Sequence, residues 1–336
     1  MATNLRSNAM NNFTRFFKKY ALSASAVATL IALPCSVYAE EAVDRTIETG
    51  DSPRVDIEHI NGKAEIRGWD KSEVRVSGTL GDNTEEFVFE KQGNVILIHV
   101  EVERSDRRWG NYQTDGDDLL IYVPFNSYID YDSINADVRI EDVKKGVSVE
   151  VVNGDVDIEN VDAAVEADAV NGDITLENVT GRLAVETVNG SISGTHSGDK
   201  QTSLESVNGG ISVSTTSPRV QVETVNGRIE LKLAEIDMLE VNTVNGRLSA
   251  QMTLNKNGEV YASSVGGGIN LTFQPDVSAR FDIQAHAGGS ISNDITSDKM
   301  QKAKYGPRRW LEFVHGSGDA NVDVSTVNGR VSLDIE

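Results

Sequence analysis

The chain has 336 residues, with 31 Lys and Arg against 52 Asp and Glu and a formal net charge of −21. That balance argues against nucleic acid and against adhesion to anionic lipid by overall electrostatics, and it favours solubility. Cys35 is the single cysteine, so no intrachain disulfide can form and stability has to come from packing.

Residues 1–39 read as an export signal. Arg15, Lys18 and Lys19 form a basic start, 21–33 is a run of small and apolar residues, and Pro34 breaks it. Val37-Tyr38-Ala39 then supplies a small-residue cleavage site. A start at Met10 gives a signal of more usual length. The apolar run is too short to span a bilayer. A lipid-attachment reading of Cys35 fails on Pro34 before it and on Ala32 where Leu is usual. The mature chain is expected to begin at Glu40. Its formal charge falls from −21 to −25, because the leader carries four basic residues and no acids. No later stretch is apolar enough to cross a membrane.

Residues 40–130 form an irregular N-terminal β part. Val55, Ile57, Ile60, Ala64 and Ile66 surround Asn61-Gly62, and further strands are expected at 74–76, 87–89, 95–98 and 119–123. A polar insertion covers 103–118. No linker rich in Pro, Gly or Ser marks a second domain, so one continuous domain is expected.

Residues 131–336 repeat one phrase. Val-Asn-Gly occurs at Asn153, Asn171, Asn189, Asn208, Asn226 and Asn245, with steps of 18, 18, 19, 18 and 19, and Asn135 stands 18 before the first. Such a period marks a repeat architecture. Each unit divides into two nine-residue halves, each with a short alternating stretch and a Gly at its third position, which suits a turn with positive φ. A hairpin meander would place Val179 on the face opposite Ile174 and Leu176, leaving both faces apolar. A chain that bends between Leu176 and Val179 sends all three to one interior. The expected fold is therefore a right-handed parallel β-solenoid (a β-helix) with about 18 residues per coil. Val152, Val170, Val188, Val207, Val225 and Val244 are expected to form an interior column. Gly replaces Asn near 266 and 288, and an insertion at about 293–313 is expected to fold over the open last coil, which ends near Leu333.

The leader, the early Ile60-Asn61-Gly62, the Leu-Leu-Ile-Tyr-Val-Pro of 119–124, the 18-residue Asn-Gly coils and the closing Thr326-Val327-Asn328-Gly329-Arg330-Val331 resemble the bacterial putative-adhesin family of exported β-strand-repeat domains. That resemblance covers nearly the whole mature chain and implies no catalytic or ligand residues.

Catalysis has little support in the residues. His59, His99, His196, His286 and His315 are scattered, none at metal-ligand spacing, and there is no phosphate loop or nucleophile elbow. A calcium β-roll also winds 18 residues per turn, but the residue after Asn-Gly drifts from Asp155 and Asp173 to Arg228 and Arg247. No enzyme, metal or cofactor is expected.

Two candidate surfaces remain. Glu150, Asp168, Glu186, Glu205 and Glu223 recur two residues before each Val, forming an acidic ladder that reads either as a solvated face or as a stripe for cations or a partner. Arg107, Arg108 and Trp109 in the first insertion, and Arg308, Arg309 and Trp310 in the second, run against the charge of the chain and combine residue types common at binding hot spots. The other reading has each Trp covering an open face and each Arg pairing with the acidic surface. The functional expectation is an exported, non-enzymatic structural or adhesin-like module of the cell envelope, in the periplasm or at the surface, with an envelope polymer or protein as partner. The alternatives are a carbohydrate-binding or carbohydrate-active β-helix and a self-associating scaffold.

Overall fold

Alternating β-branched and polar residues make each half-repeat a strand, and specific backbone positions let the chain turn between strands. The computed structural model describes residues 41–102 and 116–336, and among them every regular element is a β-strand. The N-terminal strands are β1 (Glu41–Glu48), β2 (Arg54–Trp69), β3 (Glu73–Leu80), β4 (Thr84–Gln92), β5 (Val95–Val102), β6 (Asp117–Pro124) and β7 (Tyr128–Glu141). The repeats follow as β8 (Gly146–Asn153), β9 (Val156–Glu159), β10 (Ala164–Asn171), β11 (Ile174–Thr180), β12 (Leu183–Asn189), β13 (Ile192–Ser197), β14 (Gln201–Asn208), β15 (Ile211–Thr215), β16 (Arg219–Asn226), β17 (Arg228–Thr243) and β18 (Arg247–Ser264). The last group is β19 (Ile269–Phe273), β20 (Ala279–Ala285), β21 (Ser290–Asn293), β22 (Gln301–Lys302), β23 (Arg309–His315), β24 (Ala320–Thr326) and β25 (Arg330–Ile335).

Two series of paired strands run through the molecule. The first joins β4, β5, β2, β7, β8, β10, β12, β14, β16, the second half of β17, the second half of β18, β24, β20 and β23. The other joins β1, β3, β6, β2, β7, β9, β11, β13, β15, the first halves of β17 and β18, β19, β25 and β21. Repeat neighbours pair in parallel, with Asn135 beside Asn153, Asn153 beside Asn171 and Asn171 beside Asn189. Among the described residues antiparallel pairing is confined to the end groups, where β4 covers β5, β3 covers β6 with β1 beyond it, and β23 covers β20 with β22 beyond it.

The interior is aliphatic, and its phase differs from expectation. Val147, Val149 and Val151 of β8 are buried, as are Val165, Ala167 and Ala169 of β10. Val152, Val170, Val188, Val207, Val225 and Val244 therefore point outward and are only half-buried. The inward position before them holds Thr187, Ser206, Thr224 or Thr243, all buried. A hydroxyl suits that corner because it can bond the turn backbone, as Thr243 Oγ1 does in accepting from Gly246 N at 2.9 Å. Beyond the Asn-Gly corner, Ile174, Leu176 and Val179 do share the interior, each at most 1% exposed.

The glycine expectation holds at Gly154 and Gly181, whose φ are 151° and 95°, and changes at the Asn-Gly corners after Gly154. Gly172, Gly190, Gly209 and Gly227 are not among the positive-φ residues; they are needed because stacked turns approach closely, and a Cβ at Gly190 would lie 1.9 Å from the Gly172 carbonyl oxygen. The left-handed turn sits at the second corner instead, at Asp142, Asn160 and Asn178, with φ of 61°, 53° and 52°. Asp and Asn tolerate that region better than other side chains.

Neither terminal coil lies at an end. β2 is held between the β5–β6 coil and β7. Likewise β24 and β25 insert between the coil of β18 and β19 and that of β20 and β21. The 293–313 insertion therefore does not close over the chain's last coil. Its β23 covers the β20 edge, seating Phe313 on Phe281 with ring centroids 4.5 Å apart.

Candidate binding face

The outward positions of the first series make one continuous register row. Starting from β5, it reads His99, Glu58, Asp132, Glu150, Asp168, Glu186, Glu205 and Glu223. It continues through Asn242, Ser263, Ser325 and Gln284 to Trp310. The acidic ladder expected over five coils thus gains the half-buried Glu58 and the buried Asp132. Both stand three residues before a repeat asparagine, Asn61 and Asn135, so their position was visible in the sequence.

Stacking these carboxylates on a flat face withdraws them partly from water. Burial, then nearness to Glu186, Glu166, Glu150 and Glu205, pushes the Asp168 carboxyl up to about 7. Burial and then Glu186 and Glu223 push Glu205 up to about 7. The charge of the face therefore changes near neutral pH.

Two further rows flank the acids. The half-buried Val152 to Val244 lie two residues on, joined at one end by Ile60 and Ile134 and at the other by Val265, which is 47% exposed. Next come the asparagines, whose amides donate down the stack, from Asn153 to Asn135 and from Asn171 to Asn153 at 2.8 Å each. The face thus presents parallel carboxylate, aliphatic and amide rows.

The arginine–tryptophan groups stand differently. Arg107, Arg108 and Trp109 lie outside the described residues. Arg309 donates to the Gly289 carbonyl. Arg308 donates to Gln284 Oε1 at 3.3 Å and sits 5.6 Å from the Trp310 ring. These contacts tie the second group to its own scaffold, with Trp310 ending the outward row.

The second series has a different outer surface. Thr195, Thr216, Lys232, Gln251, Thr253 and Glu336 line an open groove of about 460 Å³ together with buried His196. The His196 imidazole bonds Thr215 Oγ1 and the Gly181 carbonyl, both at 2.9 Å, and burial lowers its pKa. His59 is also internal, 3.1 Å from Asp117 and 3.1 Å from the Tyr131 hydroxyl. Asp117 further accepts from Gly81 N and Thr84 Oγ1. Although burial opposes it, these partners hold the Asp117 carboxyl below its ordinary range, while burial raises the Tyr131 phenol. With side chains 0% and 2% exposed, His59 and Asp117 make a core network closed to a substrate.

His99 lies near one end of the row, with Val88 of β4 in register beside it, and its side chain is partly exposed. Its Nε2 is 3.5 Å from Asp56 Oδ1. Contact with Asp56, set against burial and aided by Glu58 and Glu101, raises its pKa. No metal-ligand spacing in the sequence marks this group, because Asp56 and Glu58 meet His99 across strands.

The model of the Toastrack DUF4097 family matches residues 51–334. The chain belongs to that family. The match runs from just before β2 into β25, leaving out β1, and it bears out the resemblance carried by the Asn-Gly coils and the 119–124 motif. Comparison with functionally curated proteins found no match. Among solved structures, this Toastrack chain is similar to a putative cell adhesion protein from Clostridium sporogenes, at 8% identity and TM-score 0.27, covering 89% of this chain and 100% of that one. It is similar to a putative adhesin from Parabacteroides merdae at 11% identity and TM-score 0.38, covering 69% and 92%. A putative adhesin from Bacteroides fragilis gives 12% identity and TM-score 0.36, covering 88% and 98%.

Proposed function

We propose that the chain is an exported, non-enzymatic β-solenoid, right-handed with about 18 residues per coil, acting as an adhesin-like module of the cell envelope. The basic and apolar leader with its Val37-Tyr38-Ala39 site supports export. The observation that carries the contact role is the outward aliphatic row: Val recurs at this position coil after coil, beside carboxylates, where a purely solvated face would favour polar residues. Cross-strand Val packing stabilises the sheet and explains part of this row. The fitting partner is an envelope protein or polymer with apolar surface and cationic groups.

The test is binding of the purified chain to isolated envelope fractions. Val188→Lys with Val207→Lys should abolish it, whereas Ser212→Lys, on the exposed outer surface of the other series, should not. Unchanged binding by the valine variant would overturn the reading. A second reading, carbohydrate binding, is favoured by the hydroxyl- and amide-lined groove around Thr216, Lys232 and Gln251. It predicts the reverse pattern, with loss in Lys232→Ala and none in the valine variant.

A further inference from the structure

Asp56, Glu58 and His99 bring three potential ligand atoms within 4.8 Å of one another, all on half-buried side chains. The fold assembles them across two strands that are far apart in sequence. Asp56 and Glu58 are alternate residues of β2 and so face the same way. Glu58 is in register with His99 of β5, and Leu97 stands opposite Asp56. The imidazole leans along the strand toward Asp56.

Two features distinguish this group from an ordinary ion pair. His99 Nε2 is shielded from solvent yet lacks a hydrogen-bond partner. Shielded ring nitrogens normally have one. Its separation from Asp56 Oδ1, 3.5 Å, is long for a charge-assisted hydrogen bond. It is, however, close to the edge of a zinc tetrahedron, about 3.4 Å for bonds of about 2.0–2.1 Å. Arg54, two residues before Asp56, is engaged by Asp130 and by the Tyr128 ring.

We propose that Asp56, Glu58 and His99 form a binding site for a divalent transition-metal ion of the zinc type, with water completing the tetrahedron. One imidazole with two carboxylates suits zinc better than calcium or magnesium, which prefer oxygen alone. The ion would bridge β2 to β5, fastening the outermost coil to its neighbour and neutralising the end of the acidic row. The site stands whether or not the outer face contacts the envelope.

The experiment is calorimetric titration of zinc chloride into the metal-stripped chain, purified without a metal-binding tag. About one equivalent should bind at micromolar or tighter affinity. His99→Gln and Glu58→Gln should each weaken binding at least tenfold, while replacing exposed His286 by Ala should leave it unchanged. Zinc should raise Tm in the wild type and not in His99→Gln, and circular dichroism will show that each variant is folded. No binding tighter than millimolar, or equal binding by His99→Gln, would overturn the site.

Discussion

Asn189 Nδ2 donates to Asn171 Oδ1 at 2.9 Å, and Asn208 Nδ2 donates to Asn189 Oδ1 at 3.0 Å. Each amide in this column therefore gives one bond to the preceding coil and takes one from the next. Both functions are needed, which explains why the position is Asn. Asn189→Ala loses two bonds and should cost about 1–2 kcal/mol in denaturant unfolding. Asn189→Asp should cost more at neutral pH, because a carboxylate cannot donate and places charge against Asn171 Oδ1. Equal loss in both variants would show that the ladder's direction is immaterial.

The glycine beside each asparagine answers a different constraint. Gly190→Ala would drive a methyl group into the Gly172 carbonyl oxygen, which backbone stacking fixes in place. A loss of at least about 2 kcal/mol is expected, by the overpacking mechanism. Gly93→Ala has open space around it but a φ of 65°, so it should cost only about 1 kcal/mol of backbone strain.

The all-β character and the bend within each unit were legible in the sequence, because Ile174, Leu176 and Val179 can share an interior only if the chain turns between them. The phase was not. Counting apolar residues put Val188 inside, whereas the buried Thr187 hydroxyl satisfies a corner and the half-buried valine is stable on a strand surface. The end topology was equally hidden, since nothing local tells β24 to enter between β18 and β20. The acidic row was partly legible through its spacing from Asn, but the meeting of His99 with Asp56 depends on which strand β5 chooses.

Phase itself can be measured. Val185 is 2% exposed, so Val185→Ala should cost about 1–3 kcal/mol. Val188→Thr keeps the β-branched shape on a half-exposed row and should stay within about 0.5 kcal/mol. Reversal of these two effects would restore the interior valine column.

The raised carboxylates fix the sign of a pH effect. Asp168 and Glu205 have folded pKa values near 7, above their ordinary values of 3.8 and 4.5. Protonation therefore favours the folded state. Their stabilising contribution is complete below about pH 4 and is lost as pH rises through 7. Asp168→Asn with Glu205→Gln should be more stable than wild type at pH 8, by on the order of 1–2 kcal/mol per site after allowing for partial exposure. The difference should shrink toward pH 5. Thermal unfolding of both proteins across this range checks it, and comparing them cancels the opposite effect of His196, whose lowered pKa makes acid destabilising.

The most direct test of the binding face is photo-crosslinking in the native host. A photoreactive amino acid is placed at Val207, on the aliphatic row, or at Ser212, on the exposed surface of the other series. The account predicts a discrete crosslinked product from position 207 in the envelope fraction and none from position 212. Crosslinking from 212 alone, or from neither position, would contradict it.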